Sequence, residues 1–161
     1  MDWHDIIKFL VSVVACFAAG GIGSLFTFKA IQTWYARLKK PPYTPPNWVF
    51  GPVWTTLYIL MGISVFLVWQ KELITSGATL AFILFWVQLS INALWSIIFF
   101  GIRSKWGGVI TIIVLWFLIL ATIIASFPIS IWAGVLLIPY LLWVSIASYL
   151  NVGVWLLNKS V

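Results

Sequence analysis

The sequence predicts an all-α integral membrane protein, a bundle of five transmembrane helices. Three observations carry that expectation. Of its 161 residues, 63 % are hydrophobic and 7 % charged, whereas soluble domains run near ~25 % charged. Five stretches reach the roughly 20 mostly apolar residues that a bilayer crossing needs. The cations between those stretches are sorted by side, as they are in membrane proteins.

The first stretch covers residues 6–28, the second 47–69, the third 78–100, the fourth 108–127 and the fifth 131–157. Gly51-Pro52 loosens the first turns of the second, and Pro139 lies inside the fifth. Apart from Lys8, no charged residue falls within them. The connections are short except for residues 29–46, so the chain reads as a single five-helix domain. Val13-Val14-Ala15-Cys16 has the look of a lipoprotein cleavage box. However, Asp2 and Asp5 stand where a signal peptide needs positive charge. Cutting there would also leave residues 17–28, too short to span. The first helix is therefore expected to remain.

Lys29, Arg37, Lys39 and Lys40 lie in loop one, Arg103 and Lys105 in loop three, and Lys159 in the tail. No acid accompanies them. On the other side, Lys8 and Lys71 are offset by Asp2, Asp5 and Glu72. The excess of cations places loop one, loop three and the carboxyl terminus in the cytoplasm and the amino terminus outside. No internal repeat is visible, which argues against an inverted-repeat transporter.

Several functions lack the residues they need. The three acids sit at or outside helix ends, whereas proton-coupled carriers keep an ionisable group within the membrane. Cys16 is the only cysteine and His4 the only histidine, so no metal-ligand cluster and no Ser-His-Asp set is expected. There is no glycine-rich phosphate loop and no basic run suited to nucleic acid. Conventional acid–base, nucleophilic or metal catalysis has no constellation to use, and no obligatory cofactor is expected.

What stands out is aromatic surface: 12 Trp, 12 Phe and 5 Tyr. The chain is organised around residues 34–58. A basic segment with Pro41, Pro42, Pro45 and Pro46 should make residues 40–46 an extended, rigid connector. It leads into an aromatic helix carrying Trp48, Phe50, Trp54 and Tyr58. In the second helix Trp54, Tyr58 and Met61 share one face at i, i+4, i+7. Gln88, Asn92, Trp95 and Phe99 do so in the third helix. Trp143, Ala147, Leu150 and Asn151 do so in the fifth, with Tyr140 beside them. Asn92, near mid-membrane, should face the bundle interior. Together these stripes would form a flat apolar slot with a few polar points, suited to a planar hydrophobic ligand.

Each piece also has a plainer reading. Trp3, Trp34, Trp48, Trp69, Trp132 and Trp155 sit near helix ends, where tryptophans anchor at the membrane interface. Trp54, Trp95 and Trp143 would serve as packing, and Asn92 as an interhelical hydrogen bond. Gly20, Gly21, Gly23 and Ser24 read as a close helix contact, and Cys16 as a small buried apolar residue.

The order of these residues resembles the TspO/translocator protein family, once called the peripheral benzodiazepine receptor. The shared elements begin with Trp34-Tyr35, Lys40-Pro41, Pro45-Pro46, Trp48, Pro52-Val53-Trp54 and Leu57-Tyr58. A second block holds Gln88-Leu89, Asn92, Trp95 and Phe99-Phe100-Gly101. A third holds Pro139-Tyr140-Leu141, Trp143, Ala147 and Leu150-Asn151. The resemblance covers nearly the whole chain. It implies a five-helix bundle, often a homodimer in the lipid bilayer, with a pocket open toward loop one. It implies a porphyrin ligand such as protoporphyrin IX, and also isoquinoline carboxamide and benzodiazepine ligands. The protein would act as a sensor, scavenger or transport factor.

Carried over by motif, the ligand-binding residues are Trp54, Asn92, Trp95, Trp143, Ala147 and Leu150, with Trp106 near the loop-three end. Tyr58 joins them from the aromatic face of the second helix. The resemblance also carries a second reading, light-dependent porphyrin breakdown, in which Trp54 and Trp143 would be the catalytic residues. A third reading is a structural or regulatory partner subunit. The proposed cholesterol motif of mammalian members is broken here. Val152 and Leu156 replace its Tyr and Arg, and no Lys or Arg follows Tyr149 within five residues, which argues against cholesterol as the native ligand.

The ring system is expected between helices two, three and five, with porphyrin propionates at the loop-one mouth near Arg37, Lys39 and Lys40. With His4 outside the bundle, haem would lack a proximal histidine, so metal-free porphyrin is the expected tetrapyrrole.

Overall fold

The computed structural model describes residues 2–71, 73 and 76–159. Glu72, one of the acids used above to read sidedness, lies outside the described residues. Five helices are long and apolar enough to cross a membrane, and no strand occurs among the described residues. The protein is an all-α, multi-pass integral membrane protein. Its helices are α1 (Trp3–Gln32), α2 (Asn47–Trp69), α3 (Ser76–Ser96, continued by a π-turn over Ile97–Gly101), α4 (Lys105–Ser126) and α5 (Ile131–Leu157).

Local chemistry at the ends explains where these bounds depart from the apolar stretches. α1 overruns 6–28 at both ends. The Asp2 carboxylate accepts the Asp5 N–H at 2.9 Å, and Asp5 lies in the first turn. These acids, which marked the edge of the apolar run, are the start signals of the helix. Lys29 stands in the last turn, where a cation complements the exposed carbonyls. α4 begins ahead of residue 108 because Ser104 Oγ accepts the Gly107 N–H at 3.1 Å, drawing Lys105–Gly107 into the first turn.

The helices form a ring in the order α1, α2, α5, α4, α3 and back to α1. Lipid chains are as apolar as leucine, so close packing and hydrogen bonds hold the ring together. Small residues allow the closest approaches. A Cβ on Gly62 would lie 2.9 Å from Val13 Cα, where α1 meets α2. Large side chains on the outer faces, such as Leu25, Phe117 and Leu142, are exposed to the lipid. Phe85, Met61, Leu115, Leu137 and Tyr140 fill the centre.

Loop one is strapped across one end of the ring. Tyr35 is buried edge-on against Phe99 and Phe100, at 6.2 and 5.9 Å. The peptide of Lys39 is held by a reciprocal pair with Asn158 just past α5. The Lys39 N–H donates to Oδ1 (3.0 Å) and Asn158 Nδ2 donates to the Lys39 carbonyl (2.9 Å). Tyr149 Oη donates to the Pro42 carbonyl at 3.0 Å, and Gly153 leaves room for the Pro41 ring. The connector is fixed but not extended throughout. It turns at Pro42–Tyr43, where Tyr43 takes φ 61°, a left-handed conformation rare outside glycine. Thr44 Oγ1 closes that turn by donating to the Pro41 carbonyl at 2.7 Å.

Candidate functional site

α1 and α2 touch near the end remote from loop one and separate toward it. Phe9 packs on Phe66 (5.4 Å) and Phe17 on Tyr58 (6.3 Å). Beyond them a cavity of about 780 Å³ opens between α1 and α2, with the last turns of α3 as its back wall. α2 supplies Phe50, Gly51, Trp54 and Tyr58. α3 and its π-turn supply Trp95, Ser96 and Phe100. α1 supplies a run of small and polar residues, including Gly20, Gly21, Ser24 and Thr27. Gln32 and Asn47 stand at the rim beside loop one. The volume falls in the range of small-molecule sites, roughly 300–1,000 Å³.

The aromatic wall is one continuous stack. Trp54 lies nearly parallel to Tyr58 (5.6 Å, 26°) and faces Trp95 at 6.3 Å. Trp95 is parallel to Phe99 behind it (6.0 Å, 8°). The polar groups read from the sequence tie this wall to the bundle. Tyr58 Oη donates to Asn92 Oδ1 (3.0 Å), and Asn92 Nδ2 donates to Tyr140 Oη (2.8 Å). Trp95 Nε1 donates to Asn151 Oδ1 at 3.1 Å. Asn92 itself is buried behind Tyr58 and does not line the cavity.

Among the described residues, the lining carries no charged side chain. Three of its hydroxyls are turned to their own helices. Ser24 donates to the Gly21 carbonyl (2.8 Å), Thr27 to Gly23 (2.9 Å) and Thr55 to Gly51 (2.9 Å). Their protons are spent on the backbone, so these oxygens offer lone pairs to a guest. The cavity suits a flat apolar molecule with N–H donors. Among the described residues no group of three or more His, Cys, Asp or Glu is placed to hold a metal.

The structure separates the residues singled out by sequence. Trp54, Tyr58 and Trp95 are brought together. Trp143, Ala147 and Leu150 are buried on α5 and are absent from the cavity lining. The space is enclosed by α1, α2 and α3, not by helices two, three and five. The physical cause is the pairing across the α3–α5 seam just described, together with Phe50, whose ring meets Trp143 edge-on at 5.6 Å. Those contacts close the bundle interior on that side. Trp143 instead borders a shallow apolar groove of about 430 Å³ on the far side of α2, with Pro52, Leu60 and Pro139. Trp106 is half-exposed and packs on Trp155 at 4.8 Å, outside the cavity. Lys40 is occupied within its own loop. Its ammonium sits 4.8 Å from the Tyr35 ring centre and donates to the carbonyls of Ala36 and Leu38. None of Arg37, Lys39 and Lys40 lines the mouth.

What sequence reasoning missed is the α1 wall. Gly20 and Gly23 do make close contacts, against Tyr58 and Ser96. Gly21, between them, faces open space, as does Gly51 opposite. A run of small residues just before the proline loop was the available signal, and it carries both meanings.

Comparison with known proteins gives the same chain-wide picture. The TspO/MBR family profile matches residues 12–156. The "Tryptophan-rich protein TspO" of Archaeoglobus fulgidus is 43 % identical over 96 % of this chain and 99 % of its own. "Protein CrtK" of Rhodobacter capsulatus is 40 % identical, covering 96 % of this chain and 94 % of its own. The human "Translocator protein" is 39 % identical, covering 95 % and 89 %. With five membrane-spanning helices, a tryptophan-lined cavity beside loop one and these relatives along almost its whole length, the chain belongs to the TspO/MBR family.

Proposed function

We propose that this protein binds a metal-free tetrapyrrole of the protoporphyrin IX type in the α1–α2–α3 cavity, as a membrane sensor, scavenger or transport factor. The observation that carries the reading is the wall of Trp54, Tyr58 and Trp95 facing hydroxyl acceptors across an uncharged space. A porphyrin ring offers two flat apolar faces to such a wall. Stacking on each aromatic face adds about 0.5–1.5 kcal/mol beyond burial. The names of relatives, which include a "Tryptophan-rich sensory protein" and a "Translocator protein", support the sensory or transport part of the reading. Isoquinoline carboxamide and benzodiazepine ligands would share the cavity as other flat apolar guests.

In this reading the rim beside loop one faces the cytoplasm, as the cation distribution indicates. The propionates stay outside the uncharged cavity. Lys29, one residue beyond the lining residue Phe28, is the first cation along α1 that they would meet. The test is a dark titration of the detergent-purified protein with protoporphyrin IX and with its dimethyl ester, followed by porphyrin absorbance. Saturable binding of both is expected, with only the free acid weakened by added salt. Absence of saturable binding by either compound would refute the assignment.

A further inference from the structure

A second polar site lies deeper in the bundle, away from the cavity. Ser12 on α1 and Gln88 on α3 are 0 % and 1 % exposed. Among the described residues, Ser12 Oγ, Gln88 Oε1 and Gln88 Nε2 have no hydrogen-bond partner. None of the three atoms lines the cavity or the outer groove.

The helix register brings the two side chains to one level. α1 and α3 run in the same direction, since Gly23 abuts Ser96 and Phe26 abuts Gly101. Stepping back eleven residues from the first contact puts Ser12 level with Phe85, at about 1.5 Å of rise per residue on each helix. Gln88 is less than one turn further along. A helical side chain leans toward its own amino end, so the Gln88 amide points toward the level of Ser12. Both residues lie on the inward faces of their helices. Ser12 shares its face with Cys16, and Gln88 shares its face with Asn92.

An amide with both ends unpaired inside a membrane bundle is costly. The glutamine offers a donor and an acceptor, and the serine offers both functions in one hydroxyl. Phe85, three residues before Gln88 on α3, and Met61 and Val65 on α2 are buried apolar residues of one common core. A water molecule needs two to four polar partners to be held in such a place, and these two side chains supply them. We infer that Ser12 and Gln88 form a buried water site joining α1 to α3 beneath the floor of the cavity. Among the described residues no direct side-chain hydrogen bond joins α1 to another helix. The bridging water is then the polar tie of α1 to the bundle. Through Asn92, one turn along α3, it adjoins the network that positions Tyr58.

The experiment uses ligand-free, isotope-labelled protein in lipid bilayers, so it stands or falls separately from tetrapyrrole binding. Magic-angle-spinning NMR with polarisation transferred from water reads which amides are wet. The Gln88 side-chain signal is identified by its loss in Gln88→Met. Gln32, exposed at the rim, is the wet control, and the backbone amide of Val65 is the dry one. The wild-type Gln88 amide is expected to receive polarisation as Gln32 does. In Ser12→Val, which removes one polar partner, that transfer is expected to fall to the level of Val65. A wild-type Gln88 as dark as Val65 would overturn the site. A Gln88 that stays bright in Ser12→Val would overturn the part assigned to Ser12.

Discussion

The α1–α2 seam and the α3–α4–α5 side of the ring are built on different principles. On the second side every helix pair is locked by a specific contact. Asn92 and Trp95 reach α5, Gly108 admits the Phe99 ring between α3 and α4, and Trp116 Nε1 donates to Ser145 Oγ at 2.8 Å between α4 and α5. On the first side α1 meets α2 through apolar contacts from Phe9 to Gly20, without a hydrogen bond among the described residues, and beyond them the two helices stand apart around a cavity. In a bilayer, a seam without hydrogen bonds or continuous close packing is free to part. The difference teaches that one side of the bundle serves as scaffold and the other as binding cleft.

That contrast can be broken at either end. The largest effect is expected from Gly108→Val. A Cβ there would lie 2.4 Å from Phe99 Cδ2 and 3.0 Å from Asn151 Oδ1. A loss of about 3 kcal/mol in unfolding free energy, read from denaturation in detergent, follows from such overpacking. Next is Asn92→Leu, which leaves the Tyr58 and Tyr140 hydroxyls without their shared partner. It should cost about 2 kcal/mol, measured the same way.

The cleft side should respond in affinity and not in stability. Gly21→Phe and Gly51→Phe project into open space from opposite walls. Each should stay within about 0.5 kcal/mol of wild-type stability yet weaken protoporphyrin IX binding at least ~10-fold, or about 1.4 kcal/mol. Trp54→Ala should weaken it by about 1 kcal/mol through lost stacking. The smallest effect on binding is expected at the strap. Asn158→Ala removes the reciprocal pair with Lys39 and should cost about 1 kcal/mol. The readout is faster proteolytic cleavage within loop one at unchanged ligand affinity.

The two sides also differed in how far they could be read in advance. The aromatic faces of α2 and α3 follow from i, i+4 spacing, and Trp54, Tyr58 and Trp95 do converge. The same spacing gave Trp143, Ala147 and Leu150 a common face without saying which side of α2 that face meets. Phe50 decides it, by packing on Trp143. Small residues on α1 are ambiguous in principle, because absent bulk permits either contact or space. Gly20 and Gly21 are neighbours with opposite outcomes. Asn158, one residue from the last described residue, carries no periodic signal, and its bond to Lys39 spans 119 positions. The π-turn at Ile97–Gly101 was likewise invisible to hydropathy, which is indifferent to helix pitch.

The most direct test of the central claim is a dark titration with protoporphyrin IX on three proteins: wild type, Gly21→Phe and Trp143→Ala. The account predicts saturable binding by wild type, its loss in Gly21→Phe, and wild-type affinity in Trp143→Ala. Binding that survives Gly21→Phe and disappears in Trp143→Ala would contradict it, and would move the ligand to the α5 side of α2.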